Sequence, residues 1–213
     1  MNEPDNTGQQ PPAKTYVHIF ARWCIRPLVN TPVTPNHLTT LRLLTGLAAA
    51  AAFAAGDYFW TFSGGVLFLI SAILDRADGE LARLSGRMSK GGHWYDLYCD
   101  MIVNAAIFIG MGIGLGQSGA IPGYWGPIMG LVAGLSVGAI FQVVFRLHEI
   151  GSHPGIAFKY PDGFDMDDSL FVVVIFAWFD ALLILLIMAV IVAPLFLILA
   201  IWRLHTLQKS TRG

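Results

Sequence analysis

Long apolar runs, separated by short segments that gather nearly all the ionisable groups, constrain this chain more than any other feature of its sequence. A helix that crosses a bilayer needs about 20 mostly apolar residues. On that measure the sequence predicts six spans, at 36–56, 58–84, 93–115, 124–147, 168–179 and 180–204. The last two form one apolar run interrupted by Asp180. A single helix of that length would overshoot the bilayer, so a turn is expected at 178–180. With 55% hydrophobic and 13% charged residues, the composition lies far from that of a soluble domain. The expected fold class is an all-α integral membrane protein, a six-transmembrane-helix bundle.

Lysine and arginine collect in cytosolic loops and helix ends. With six spans, all 13 positive residues fall on one side of the membrane, which predicts a multi-pass protein with both termini cytosolic. In a bacterium the membrane would be the cell membrane. Ahead of the first span, residues 15–30 mix Tyr16, Val17, Ile19, Phe20, Trp23 and Ile25 with His18, Arg22 and Arg26, the pattern of an amphipathic helix in the headgroup layer. The same residues also read as a basic topology anchor without chemistry. Residues 1–14 read as a disordered cytosolic tail, 31–207 as the six-helix membrane domain and 208–213 as a second cytosolic tail. Cys24 and Cys99 lie in unlike surroundings, so no disulfide is expected. The net charge of -1 by itself says nothing about partners, and no nucleic acid partner is expected.

Span two ends in Asp75-Arg76-Ala77-Asp78-Gly79-Glu80-Leu81-Ala82-Arg83, and span three opens with Gly92-His93-Trp94-Tyr95-Asp96-Leu97-Tyr98-Cys99-Asp100. At 3.6 residues per turn, Asp75, Asp78, Gly79 and Ala82 share one helix face, and Gly92, Asp96 and Asp100 form a second stripe. The short connection predicts antiparallel neighbours whose stripes face one another. Each ionised carboxylate in a bilayer costs a few kcal/mol at least, and crowding like charges adds to that. Arg76 and Arg83 offset part of the charge. Oxygen ligands on opposed helices are what Mg²⁺, Mn²⁺ or Ca²⁺ bind, so one or two dications are expected. The small residues Gly79, Ala82 and Gly92 on the same stripes clear room beside them.

These residues read D-x-x-D-G-x-x-A-R, then eight residues, then G-x-x-x-D-x-x-x-D. The pattern resembles the signature of the CDP-alcohol phosphotransferases at every fixed position, and the resemblance extends to the six-helix topology. It implies Asp75, Asp78 and Asp96 as metal ligands, with two divalent ions, Mg²⁺ or Mn²⁺. It implies Asp100 as general base and further metal contact, and Gly79, Ala82 and Arg83 as lining of the CDP site. The segment Pro35-Asn36-His37-Leu38-Thr39-Thr40-Leu41-Arg42 is similar to one that many members carry, which makes Asn36 and Thr39 candidate nucleotide contacts. Asn36 reads equally as a helix cap, and Arg42 as an arginine reaching for the interface.

The reaction implied is attack of an acceptor hydroxyl on the β-phosphorus of a CDP-linked alcohol, with release of CMP. The partners implied are a CDP-alcohol donor, CDP-diacylglycerol or a smaller one, and a small alcohol or phosphorylated-alcohol acceptor, with a homodimer as one assembly state. Arg26-Pro27-Leu28 and Thr31-Pro32-Val33-Thr34-Pro35-Asn36 look faintly like members that transfer to inositol phosphate, while glycerol phosphate, serine, choline and ethanolamine stay open as acceptors. Arg146 and Arg203, at the cytosolic ends of spans four and six, read either as acceptor-phosphate contacts or as topology anchors. Two other classes use intramembrane aspartates. Aspartate-rich prenyltransferases have longer chains and a different continuation of the motif, and a divalent-cation transporter needs access from both faces, whereas this cluster lies near one.

Overall fold

The structure is a computed structural model that describes residues 16–150 and 171–210, and among these there is no strand. Within the described residues seven α-helices follow one another: α1 (Tyr16–Ile25), α2 (Pro35–Ala54), α3 (Tyr58–Ser85), α4 (Lys90–Gln117), α5 (Trp125–Ile150), α6 (Phe171–Trp178) and α7 (Leu182–Ser210). Their ends follow local chemistry. Pro35 occupies the first turn of α2, where its missing N–H costs nothing. The Asp57 carboxylate accepts from the Trp60 N–H at the start of α3, and Ser89 Oγ accepts from the Gly92 N–H at the start of α4. Gly86 closes α3 with φ of 66°, a left-handed conformation that suits a residue without Cβ.

Five of the helices, α2, α3, α4, α5 and α7, are long and apolar enough to cross a membrane. They match five of the six expected spans to within a few residues at their starts. The expected fifth span, 168–179, begins outside the described residues, and its described part is the eight-residue α6, which does not reach spanning length by itself. The expected turn is present: α6 ends at Trp178, Asp180 adopts φ of 54°, and α7 starts at Leu182. The tail expected at 1–14 lies outside the described residues; of the one expected at 208–213, residues 208–210 belong instead to the last turn of α7, and 211–213 lie outside the described residues. Both cysteines are free.

Helix adjacency differs from the expectation in one respect. Although α3 and α4 are joined by a short turn, they hardly touch; α2 lies between them and packs heavily against both. The physical reason lies in the sequence of α2, whose inner face is small. A Cβ at Gly46 would come within 2.5 Å of Val103 Cγ1 of α4 and 3.0 Å of Ser71 Oγ of α3, so glycine there lets α2 sit close to both. Ala49, Ala50 and Phe53 of α2 continue this seam into a core shared with Phe68, Val103, Ile107 and Met111. Beyond α4, the bundle continues through α5 to α7, and α6 packs on α3. The ten-residue α1 lies against α3, burying Ala21 and Ile25 with Leu38, Ala77 and Leu81.

Candidate metal and nucleotide site

The C-terminal turns of α3 and the N-terminal turns of α4 carry the aspartates, and the first two turns of α2 fill the space between them. Asp75, Asp78 and Asp96 converge: each offers a carboxylate oxygen, and these oxygens lie within 4.8 Å of one another. An all-carboxylate donor set of this spacing, drawn from two helices, fits a hard oxygen-seeking dication.

Asp100 points to a different partner. Its carboxylate is bound by the Arg42 guanidinium, which also reaches Asp75 Oδ1 at 3.1 Å and Asp96 Oδ1 at 3.2 Å. Arg42 is 3% exposed and so sits inside the cluster, not at the interface where its side chain was equally expected. One residue of α2 thereby holds both stripes. Thr39, one turn earlier, donates its hydroxyl to Asp78 Oδ2 at 2.6 Å. Arg76 donates to Asp75 Oδ2 at 2.5 Å and lies under the Phe171 ring of α6, 5.8 Å from its centroid.

The other expected contacts surround this centre. Asn36 is exposed at the start of α2, and its Oδ1 would be 3.1 Å from a Cβ at Gly92. Gly79 opens on space, since a Cβ there would meet only Arg83 Nη2, at 3.8 Å. Ala82 is half-buried one turn further on. Arg83 binds Glu80 Oε1 at 2.8 Å, so it does not serve the aspartates as the sequence suggested; Arg42 takes that part. Arg146 and Arg203 are both exposed, on α5 and α7, which pack side by side.

Glu80 lies between the fixed positions of the motif and has no role among the expected contacts. It is 1% exposed, and its two oxygens are taken by Arg83 and by Arg22 Nε of α1 at 2.9 Å. That bond raises the Arg22 pKa above the ordinary arginine value. A signal was available: a glutamate within an apolar helix, one turn before an arginine, is costly enough to demand partners.

The family model described as CDP-alcohol phosphatidyltransferase matches residues 32–202, most of the chain. The chain belongs to this family. Among its relatives, it is 36% identical over 94 residues to the bifunctional IPC transferase and DIPP synthase of Aquifex aeolicus, a match covering 44% of this chain and 21% of that protein. It is 33% identical over 89 residues to the archaetidylinositol phosphate synthase of Pyrococcus horikoshii, covering 42% and 46%. A longer match, 29% over 136 residues, is to the inner membrane protein YnjF of Escherichia coli, covering 64% and 63%. The matched segments thus span less than half the length of the first two relatives. As a CDP-alcohol phosphatidyltransferase family member, the chain has its aspartate motif within the matched region, together with Asn36, Thr39 and Arg42; Arg22 and Arg203 lie outside it.

Proposed function

We propose that this chain transfers a phospho-alcohol group from a CDP-alcohol to an acceptor hydroxyl, releasing CMP and forming a phosphodiester. The observation that carries the reading is the convergence of Asp75, Asp78 and Asp96 on one point, on helices that bear the family motif. The membrane orientation that suits it has both termini cytosolic, so that a soluble nucleotide and a lipid both reach the ends of α3 and α4.

In this reading Asp75, Asp78 and Asp96 hold one or two Mg²⁺ or Mn²⁺ ions, with Asp100 adjoining. A bound dication would supply neutralisation of the pyrophosphate and of the departing phosphate. The chain's own residues do the rest. Thr39 fixes one oxygen of Asp78 by its hydrogen bond and leaves the other to face the cluster. Arg42 orients Asp75, Asp96 and Asp100 together through its ion pairs with all three. The acceptor oxygen attacks the β-phosphorus, the bond from that phosphorus to the CMP oxygen breaks, and Asp100 takes the hydroxyl proton. The open space over Gly79, beside Arg83, receives the nucleotide, and Asn36 and Ala82 are assigned to the same ligand. Arg146 and Arg203 are assigned to an acceptor phosphate.

The names of two relatives, an archaetidylinositol phosphate synthase and a phosphatidylinositol phosphate synthase of Streptomyces avermitilis that is 31% identical over 87 residues, support a phosphorylated inositol as acceptor and a CDP-linked lipid as donor. The test is a matrix of CDP-alcohol donors and alcohol acceptors with the purified chain, in Mg²⁺ or Mn²⁺, scored by CMP released and by product mass. CMP release with CDP-diacylglycerol and inositol phosphate is expected. No CMP from any donor would overturn the reaction, and CMP formed only with other acceptors would overturn the inositol assignment.

A further inference from the structure

Glu80 is an acidic residue that the proposed chemistry leaves unused, buried inside the motif that carries the chemistry. We propose that it is a positioning residue, which couples the docking of α1 to the placement of Arg83 and so sets the affinity of the nucleotide site. The inference rests on the reading of Arg83 as a nucleotide contact.

The observations behind this start at the carboxylate. Its Oε2 accepts from Arg22 Nε at 2.9 Å and its Oε1 from Arg83 Nη2 at 2.8 Å, so one buried anion joins a helix outside the bundle to the last arginine of the motif. Arg83 Nε has no acceptor of its own among the described residues, which leaves a guanidinium held at one edge with a donor still to satisfy. Around the pair, Ala21 and Ile25 of α1 close over Ala77 and Leu81, the residues that flank Asp78 and Glu80 in the sequence. The connection after α1 is fastened too, because Arg87 donates to the carbonyls of Thr31 at 3.3 Å and Val33 at 3.0 Å.

A ten-residue helix has too little intrinsic stability to stand alone, so α1 keeps its place by what it docks against. Its outward side chains Ile19, Phe20 and Trp23 are exposed and apolar, the kind that a membrane surface covers. When α1 is seated, Arg22 shares the Glu80 charge and Arg83 is held by a single oxygen. When Arg22 is lost, Glu80 is a buried anion with one cationic partner fewer, and it draws the Arg83 guanidinium round to supply both oxygens. Arg83 then turns from the space over Gly79.

The experiment uses the full chain in lipid nanodiscs, with Arg22→Ala, Arg22→Lys and Glu80→Gln. The readouts are CMP affinity by calorimetry in Mg²⁺, donor and acceptor KM, and thermal midpoint. Arg22→Ala and Glu80→Gln are expected to weaken CMP binding and to raise donor KM about tenfold, the scale of one charge-assisted hydrogen bond. Acceptor KM stays within about twofold, a change below the scale of a lost hydrogen bond. Arg22→Lys restores most of the affinity, and a double variant that combines Arg22→Ala with Glu80→Gln is no weaker than Glu80→Gln alone. If Glu80→Gln fails to fold, Arg22→Ala carries the test, since its side chain is already 26% exposed. A lowered thermal midpoint with unchanged CMP affinity and donor KM would show Glu80 to be packing only and overturn the proposal, as would absence of rescue by lysine. An unmodified chain that neither binds nor releases CMP would remove the parent reading and this one with it, a result distinct from either of those.

Discussion

Replacing Arg42 by glutamine keeps much of the side chain's length and its hydrogen-bonding capacity but removes the charge that joins three aspartates. With all four carboxylates ionised, as dication binding requires, they face two guanidiniums, those of Arg42 and Arg76, which leaves two negative charges. One dication would cancel them. The variant leaves three. At an effective dielectric of about 20, a charge pair at about 4 Å is worth about 4 kcal/mol before desolvation is counted. Removing one partner of a buried ion pair destabilises by about 3–5 kcal/mol, and Arg42, 3% exposed with three partners, qualifies as such a site. For a chain of this size that is a fall in thermal midpoint on the order of 10 °C.

The dication dependence is the sharper test. A ligand at a hundredfold excess over its Kd stabilises by about 2.7 kcal/mol, and the more negative cluster binds a dication more tightly. Mn²⁺ should therefore raise the midpoint of Arg42→Gln by more than it raises that of the unmodified protein. Intrinsic fluorescence of the six tryptophans in detergent micelles, with EDTA against Mn²⁺, measures both shifts. Equal midpoints in EDTA, or equal Mn²⁺ shifts in the two proteins, would refute the electrostatic account of the cluster.

Two further substitutions separate orientation from proton transfer. Thr39→Val removes the donor to a buried Asp78 oxygen at 2.6 Å, and a loss of about 1–3 kcal/mol is expected in denaturant unfolding, with reduced turnover; full stability would show that the bond contributes nothing. Asp100→Asn should lower turnover by roughly 10²-fold or more while CMP binding largely survives, since general base catalysis is worth about 10²–10⁴; unimpaired turnover would remove Asp100 from the base role.

The bilayer explains why so much of the architecture is legible in the sequence. Spanning helices must satisfy their backbone internally and face lipid, so α2, α3, α4, α5 and α7 announce themselves as apolar runs. The convergence of Asp75, Asp78 and Asp96 was legible for the complementary reason, that charges within such runs are costly and must be gathered. Helix adjacency was not. A short connection between α3 and α4 suggests that they pack together, but the small face of α2, with Gly46 and its alanines, lets it enter between them. The same insertion conceals the part played by Arg42, and the docking of α1 on α3 conceals that of Glu80. Arg42 meets Asp96 and Asp100 across separations of 54 and 58 residues, and Glu80 meets Arg22 across 58, pairings that no local periodicity encodes.

The glycines offer a way to tell packing from function with one kind of substitution. A Cβ at Gly114 would press into the Phe53 carbonyl oxygen, a backbone atom that cannot swing aside, whereas a Cβ at Gly79 would meet only the end of Arg83, at 3.8 Å. Overpacking of this sort costs about 1–3 kcal/mol, so Gly114→Ala should lower the thermal midpoint. At Gly79 the balance reverses. Alanine exceeds glycine in a helix interior by about 0.8–1.0 kcal/mol, and no steric term opposes it, so Gly79→Ala should leave the midpoint level or slightly raised. If the space over Gly79 is where the nucleotide lies, the added methyl group nevertheless weakens CMP binding and raises donor KM. A stabilised Gly79→Ala that binds CMP as tightly as the unmodified protein would place the nucleotide elsewhere.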